Sequence, residues 1–546
     1  MDIIGDAKTL LGRAGTEAYF AATLFKARGA GVALIPPHRF VAVVRALEAY
    51  GPAGAAVALA RAGQGDSVAI LDERGPVTFA ELDKRTNALA NALRTKGFRT
   101  GDSLGILVRN HRGLFEAILA GAKLGARTLL LNTDFAGPQL VDVCTREEVT
   151  VLVHDDEFTP IVSGYEPPLG HVLAWTEAPN ERDGRSTVEQ LIAGAKSSTP
   201  ARPGRKQRIV LLTSGTTGTP KGAPRDIGLS MVIPGGYLSK IPLRSGRTVL
   251  LAAPAFHAWG LLSSILALGL GNTVVTTRRF DAKVAVAMLA EHGCDALVTV
   301  PILLSRILAA AQDEIGSRDL SGLRIVAVSG SALSAELAAS AMDLLGEVVY
   351  NLYGSTEVAY ATIATPADLR AAPGTVGRPP HGTTIKLLDP AGHEVAPGDT
   401  GRIFVGNSIH FEGYTGGGNK EQVAGLMSTG DVGHFDAAGR LFVDGRDDDM
   451  IISGGENVFP REIEDLLATH DSITEAAVVG VSDPEFGARL LAYVVRTGDS
   501  DIDEDGVRDF VKANLARYKV PRDVRFLDEL PRNPAGKVVK RLLPEP

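Results

Sequence analysis

At 546 residues the chain exceeds what one hydrophobic core can hold, and its length corresponds to about three or four domain-sized units. Hydrophobic residues make up 45% and charged residues 22%, an ordinary globular balance, and the formal net charge of −8 excludes a general nucleic-acid binder, which needs a basic footprint. Two cysteines, Cys144 and Cys294, are too few for a disulfide framework; both read as packed thiols of a protein at home in a reducing cytosol.

The N-terminal stretch MDIIGDAKTLLGRAG is not a signal peptide, because an acid stands at position 2 and Asp6 and Lys8 interrupt its apolar run. No window reaches the roughly 18 uncharged apolar residues of a membrane span, so a cytoplasmic location is expected. Residues 1–55 read as a helical arm, with Leu10, Leu11, Phe20, Leu24, Phe25, Phe40 and Val44 among Lys8, Arg13, Lys26, Arg28, Arg39 and Arg45. Packing of this arm on the main body is favoured over a basic amphipathic face lying on anionic lipid. Peripheral membrane contact and a homodimer stay open.

From about residue 66 strand-like and helical runs alternate: VAILD, TFAELDKRTNALANALRTKG, SLGILVRN, GLFEAILAGAKLGA and RTLLLN. The alternation resumes at RIVLLTSG, TVLLAAP, NTVVTT, DALVTVP and LRIVAVSG. This pattern predicts β-α-β units on a largely parallel sheet. Near 446 a second region begins. PREIEDLLATH is a helix with Pro460 at its start, EAAVVGVSD and RLLAYVVRT are strands, and EDGVRDFVKANLARY is a helix followed by a basic tail. The junction GRDDDMIISGGENV is charged and then glycine-rich, as a hinge would be. The expected fold class is α/β. The arm (1–55) precedes a large domain of mostly parallel sheets with flanking helices (56–445), and a small mobile α+β domain follows (446–546).

The sharpest chemical signal is Thr213-Ser214-Gly215-Thr216-Thr217-Gly218-Thr219-Pro220-Lys221-Gly222, directly after the apolar strand RIVLL. Glycines let backbone approach a phosphate, and hydroxyl and N–H groups can ring its oxygens. It is not a Walker A loop, since Pro220 replaces the second glycine and Gly222 follows the lysine. Further runs follow in order. They are Gly330-Ser331-Ala332 after RIVAVS, Tyr353-Gly354-Ser355-Thr356-Glu357, Ser428-Thr429-Gly430-Asp431, the segment from Arg446 through Asp448 to Gly454 and Gly455, and Pro531 to Lys537 (PRNPAGK). Singly, each has a plain reading as a solvated loop, a turn cap or a basic tail.

Together, over nearly all of 55–546, these motifs resemble the adenylate-forming superfamily of acyl- and aryl-CoA synthetases, peptide-synthetase adenylation domains and luciferases. The resemblance implies an ATP-dependent acyl-CoA synthetase. The Thr213–Lys221 loop would hold the β- and γ-phosphates, with Gly330, Ser331 and Ala332 beside adenine. Tyr353 would stack on adenine and Thr356 would bond the α-phosphate. Glu357 would bind Mg²⁺, a hard cation that prefers oxygen ligands. Asp431 would accept both ribose hydroxyls and Arg446 would support the nucleotide. Lys537 would serve the adenylation step, His257 would open the acyl site, Asp448 would be the hinge, and Gly454 and Gly455 would wall the CoA tunnel. The segment YTGGGNKEQVAGLM departs from the family pattern, with Met427 where an aromatic is common.

In the resembling peptide-synthetase domains an Asp near the start of the pocket pairs with the substrate ammonium; the matching segment here, Pro254-Ala255-Phe256-His257, carries no carboxylate, so the resemblance implies that amino acids are rejected. The uncharged runs Gly260–Gly271 and Val358–Thr365 would by themselves read as core, but the resemblance puts them beside the acyl pocket and so implies a medium- or long-chain fatty acid as the expected substrate. The alternatives are an aryl or terpenoid-derived acid, or an enzyme that loads acyl-AMP onto a carrier protein. A luciferase-like oxygenase and a catalytically dead nucleotide-binding regulator are weaker readings. A nicotinamide dehydrogenase is unsupported, because no G-x-G-x-x-G follows a strand. Lysine acylation at Lys537 is a conceivable control that no residue pattern marks.

Overall fold

The computed structural model describes residues 15, 18–23, 26–27, 37–177, 184–213, 221–224, 232–314, 318–407, 413–415, 419–447, 451–453, 456–483, 487–498, 500–515, 519–533 and 536–545. Among them, two large sheets build the first domain. The seven-stranded sheet runs Ser186–Thr187, His171–Trp175, Val149–Asp155, Ser103–Leu107, Arg127–Leu130, Arg208–Thr213, Lys221–Pro224; all neighbours are parallel except the last pair. The eight-stranded sheet runs Thr362–Ala364, Val349–Tyr353, Ile325–Val328, Ala296–Thr299, Thr248–Leu251, Thr273–Val275, Val68–Asp72, Gly75–Thr78, parallel within and antiparallel at both edges.

The expected alternation is thus present, and the apolar runs form strands because both faces of each sheet are covered. The helix Arg112–Leu124 shows why. All of its residues are buried, and it ends where Gly125 turns into the left-handed region (φ 65). One core joins Ile70 of the eight-stranded sheet, Leu104 and Ile106 of the seven-stranded sheet, and Leu114 and Ile118 of this helix.

A five-stranded antiparallel sheet (Thr384–Leu388, Gly401–Gly406, Gln422–Val423, Leu426–Phe435, Leu441–Arg446) closes one side of the large domain. The small C-terminal domain has its own sheet. Ile473–Asp483 and Gly487–Arg496 are antiparallel, and Asp523–Leu527 is parallel to the second of them. Helices Pro460–Leu467 and Glu504–Asn514 cover it, and Ile463, Leu467, Val478, Val494, Val507 and Val511 form a separate core. The chain is therefore a mixed α/β protein with a large parallel-sheet domain and a small C-terminal one.

The helical stretch Pro37–Gln64 crosses the expected 55/56 boundary as two consecutive helices, broken at Gly51 (φ 72, ψ −171) just before Pro52. Its second half lies on the helix Ala258–Gly269, with Ala56 against Gly269. Phe20 is fully buried over Gly235, so this part of the arm packs on the body. Cys144 and Cys294 are free and buried, and burial pushes each thiol up to about 12. Among the described residues no helix is long and apolar enough to cross a membrane.

Candidate active site

The site lies at the C-terminal ends of the parallel strands in the eight-stranded sheet, where loops leave the sheet and backbone groups are free to meet a ligand. The strand Ile325–Val328 runs into Ser329, whose hydroxyl donates to the Leu352 carbonyl at 2.7 Å. Gly330 then takes φ 100, with Ser331 partly open beside it and Ala332 exposed. The neighbouring strand Val349–Tyr353 ends at Tyr353. After it the chain folds back tightly: any side chain at Gly354 would collide with the Ala359 carbonyl, and Ala359 itself has φ 63. The Ser355 hydroxyl accepts from the Glu357 and Val358 N–H groups at 3.2 and 3.3 Å, a serine turn that buries Glu357. Thr356 lies in the same turn and is partly open.

The strand pair Leu426–Phe435 and Leu441–Arg446 supplies the opposite side. Its register sets Asp431 across from Arg446, and Arg446 Nη1 lies 3.4 Å from Asp431 Oδ1. Tyr353 donates its hydroxyl to Asp431 Oδ2 at 2.6 Å, with Thr429 Oγ1 at 3.2 Å. Burial and the Asp431 charge hold the Tyr353 phenol well above its ordinary range. Lys420 and Arg446 both crowd Gly430, their nitrogens 3.2 and 3.3 Å from where a Cβ would stand. On the other side of Tyr353, the Tyr414 hydroxyl donates to Glu357 Oε1 at 2.5 Å.

Lys537 comes from the small domain. Asn533 shapes its turn, with the Lys537 N–H donating to Asn533 Oδ1 at 2.9 Å and Arg532 Nη1 donating to the Gly536 carbonyl at 2.6 Å. Gly536 (φ 76) is buried directly against Ile302 of the large domain, a contact that leaves no room for a side chain. Lys537 is solvent-exposed although protein atoms surround it closely. Burial within that surround lowers its ammonium pKa, Asp431 and Glu357 oppose the shift, and Arg446 adds to it.

His257 precedes the helix Ala258–Gly269 in extended conformation and makes no side-chain cap bond. Among the described residues its buried Nε2 has no hydrogen-bond partner, and burial, then the Lys537 charge, push its pKa down to about 4. Behind it, Trp259 donates Nε1–H to the Thr299 carbonyl at 2.9 Å and stacks on Tyr237 with centroids 6.0 Å apart. Tyr237 and Tyr360 are fully buried, and Tyr360 presses its hydroxyl into the space left by Gly236.

Three strands, the turn after Tyr353 and the small domain thus bring Tyr353, Thr356, Glu357, Asp431, Arg446 and Lys537 together, with His257 beside Lys537. Thr213 and Lys221 are opposite partners of the antiparallel pair Arg208–Thr213 and Lys221–Pro224. Ser214, Gly215, Thr216, Thr217, Gly218, Asp448, Gly454 and Gly455 lie outside the described residues. Tyr414, Thr429 and Lys420 went unnoticed in the sequence. Thr429 stands inside a motif quoted for its aspartate, and a lone tyrosine or lysine in a glycine-rich loop carries no pattern.

The family described as AMP-binding enzyme matches residues 57–415, and its C-terminal domain matches residues 462–537. The chain belongs to the AMP-binding enzyme family. Among curated relatives, an indoleacetate–CoA ligase of Aromatoleum aromaticum is 33% identical over 85% of this chain and 92% of its own length. A fatty acid–[acyl-carrier-protein] ligase of Streptomyces coeruleorubidus is 30% identical over 87% of this chain and 92% of its own. Among solved structures, ATP-bound MatB from Rhodopseudomonas palustris is 28% identical with a TM-score of 0.79, covering 89% of this chain and 97% of that one. This member of the family is an acid–thiol ligase.

Proposed function

We propose that this AMP-binding enzyme activates a compact aromatic carboxylic acid as acyl-AMP, releases pyrophosphate, and transfers the acyl group to CoA. The observation that carries the choice of acid is the packed ring wall behind His257. Trp259 and Tyr237 stack on each other and Tyr360 packs against Gly236 next to Tyr237, an aromatic cluster that matches a flat ring better than an alkyl chain. Relatives named for indoleacetate and ferulate support the same choice. The second reading is an unbranched medium- or long-chain fatty acid. It is favoured by the charge-free helix Ala258–Gly269 and by the Streptomyces coeruleorubidus relative, whose name also leaves a carrier protein as acceptor.

In this reading residues 1–55 are an arm, 56–445 the adenylating body and 446–546 a domain that moves about Asp448. Tyr353 and the Gly330–Ala332 loop flank adenine. Asp431, already accepting the Tyr353 hydroxyl through Oδ2, offers carboxylate oxygens to the ribose hydroxyls, with Arg446 at its side. Thr356 and the Thr213–Lys221 loop take phosphate oxygens. Glu357 suits Mg²⁺, being a buried carboxylate with one oxygen steadied by Tyr414. Bound there, Mg²⁺ would neutralise phosphate charge. The substrate carboxylate attacks the α-phosphorus, and the Lys537 ammonium stabilises the charge that gathers on the phosphate oxygens. His257, neutral at physiological pH, offers an ammonium no counter-charge, so amino acids are excluded. The small domain then turns, Lys537 leaves, and Gly454 and Gly455 line the path of the CoA thiol.

The test is AMP and thioester formation with ATP, CoA and a panel of indole-3-acetate, benzoate, octanoate, palmitate and phenylalanine. The highest kcat/KM is expected with an aromatic acid. Preference for octanoate or palmitate would establish the second reading instead, and preference for phenylalanine would refute the role given to His257.

A further inference from the structure

Glu147 is a buried carboxylate that the proposed chemistry leaves unused. It caps the helix Gly137–Arg146, far along the chain from any motif. Two cations hold it. Arg127 pairs with Oε2 and also donates to the Glu147 carbonyl at 3.2 Å, and Arg146 Nε donates to Oε1 at 3.1 Å. Burial works against its ionisation, but the Thr415 hydroxyl, Arg127 and Arg146 outweigh it and keep the carboxyl below the usual range. A buried carboxylate with such partners serves geometry more than stability.

What Glu147 orients is Thr415. The Thr415 hydroxyl donates to Glu147 Oε1 at 2.7 Å, and its oxygen accepts the Gly222 N–H at 3.0 Å. The Thr415 N–H returns a bond to the Gly222 carbonyl at 2.8 Å. Gly222 accommodates this only as glycine, since a Cβ would stand 2.6 Å from both Thr415 Oγ1 and Val210 Cγ1. Gly222 belongs to the strand that begins at Lys221, and the residue before Thr415 is Tyr414, which holds Glu357. A single hydroxyl, acting as donor and acceptor together, therefore couples the Lys221 strand to the chain segment that steadies Glu357.

We propose that Thr415, oriented by Glu147, is a positioning residue for ATP: it keeps the Lys221 strand and Glu357 in fixed relation across the nucleotide site. The inference rests on the ATP-dependent reading above. Valine at 415 matches threonine in shape but can neither donate nor accept, whereas serine does both. In acid-dependent ATP–pyrophosphate exchange, Thr415→Val is expected to raise the KM for ATP about tenfold, the order of one to two lost hydrogen bonds. Thioester formation from supplied acyl-AMP and CoA is expected to stay unchanged. Thr415→Ser is expected to restore the KM, and Glu147→Gln to raise it. An unchanged KM in Thr415→Val overturns the proposal. So does equal loss of both half-reactions with a lowered melting temperature that serine fails to rescue. Absence of exchange in the unaltered enzyme would strike the ATP reading itself, which the same assay reports separately.

Discussion

Lys537 shows how one residue's behaviour depends on its surroundings. Burial lowers its ammonium pKa from the ordinary 10.5, with Asp431 and Glu357 pulling the other way. The charged form is the useful one, so adenylation should fail as pH rises, and should do so at lower pH than an ordinary lysine would allow. The alkaline limb of kcat/KM for ATP–pyrophosphate exchange reports this group in the free enzyme. Lys537→Ala is expected to lower exchange by about 100-fold or more and to remove that limb. Thioester formation from supplied acyl-AMP should be spared, and equal loss of both half-reactions would make the lysine structural. Lys537, Asp431 and Glu357 were legible in the sequence because each stands in a motif whose neighbours are as informative as itself. Tyr414 was not. Its importance is its 2.5 Å bond to Glu357, a residue in a separate motif, and nothing local in YTGGGNK announces it.

At the scale of elements, the strand pair Leu426–Phe435 and Leu441–Arg446 converts sequence order into geometry. Its register places Asp431 opposite Arg446, and a slip of one residue would turn both to the other face. Gly536 is the corresponding device between domains. Its φ of 76 and its contact with Ile302 permit the close approach of the two domains, and in the proposed mechanism that closure delivers Lys537. Gly536→Ala is expected to hinder that closure, both by the clash and by left-handed strain of about 1 kcal/mol or more. Exchange should fall while thioester formation from acyl-AMP persists, and normal exchange in this variant would show that closure tolerates a side chain there. The long helix was only partly legible. Arg39, Phe40 and Val44 suggested helix, but that a second helix reaches Gln64 follows from the break at Gly51, which puts Pro52 at a helix start and spares it a clash with a preceding turn.

Across the whole molecule, stability should carry the mark of buried histidines. His154 and His257 are each pushed down from 6.5 to about 4, mainly by burial. Above pH 6.5 the folded and unfolded chains both hold these rings neutral, and their burial costs nothing in protons. As pH falls from 6.5 towards 4 the unfolded chain takes up protons that the folded chain refuses, and stability is lost, by at most about 3 kcal/mol for each ring. Urea midpoints between pH 7.5 and 4.5 should therefore decline, and His154→Gln should flatten the decline. A midpoint independent of pH over that window would mean that both rings reach water.

The sequence alone determined the order of the motifs, the alternation of strand and helix, the separate texture of the small domain, and the family's chemistry. These are local properties. A glycine turn, an apolar strand or a proline at a helix start is encoded by residues within a few positions of one another. The tertiary structure alone decided that Glu147 meets Thr415, that Tyr353 holds Asp431, that Phe20 of the arm covers Gly235, and that Trp259 stacks on Tyr237. This last contact is what supports the proposed aromatic acid beside the expected fatty acid. An uncharged run such as GLLSSILALGLG has the same local signature whether it lines a channel or packs against rings. Only the partners brought to it by register and helix packing, from residues far away in the chain, distinguish the two.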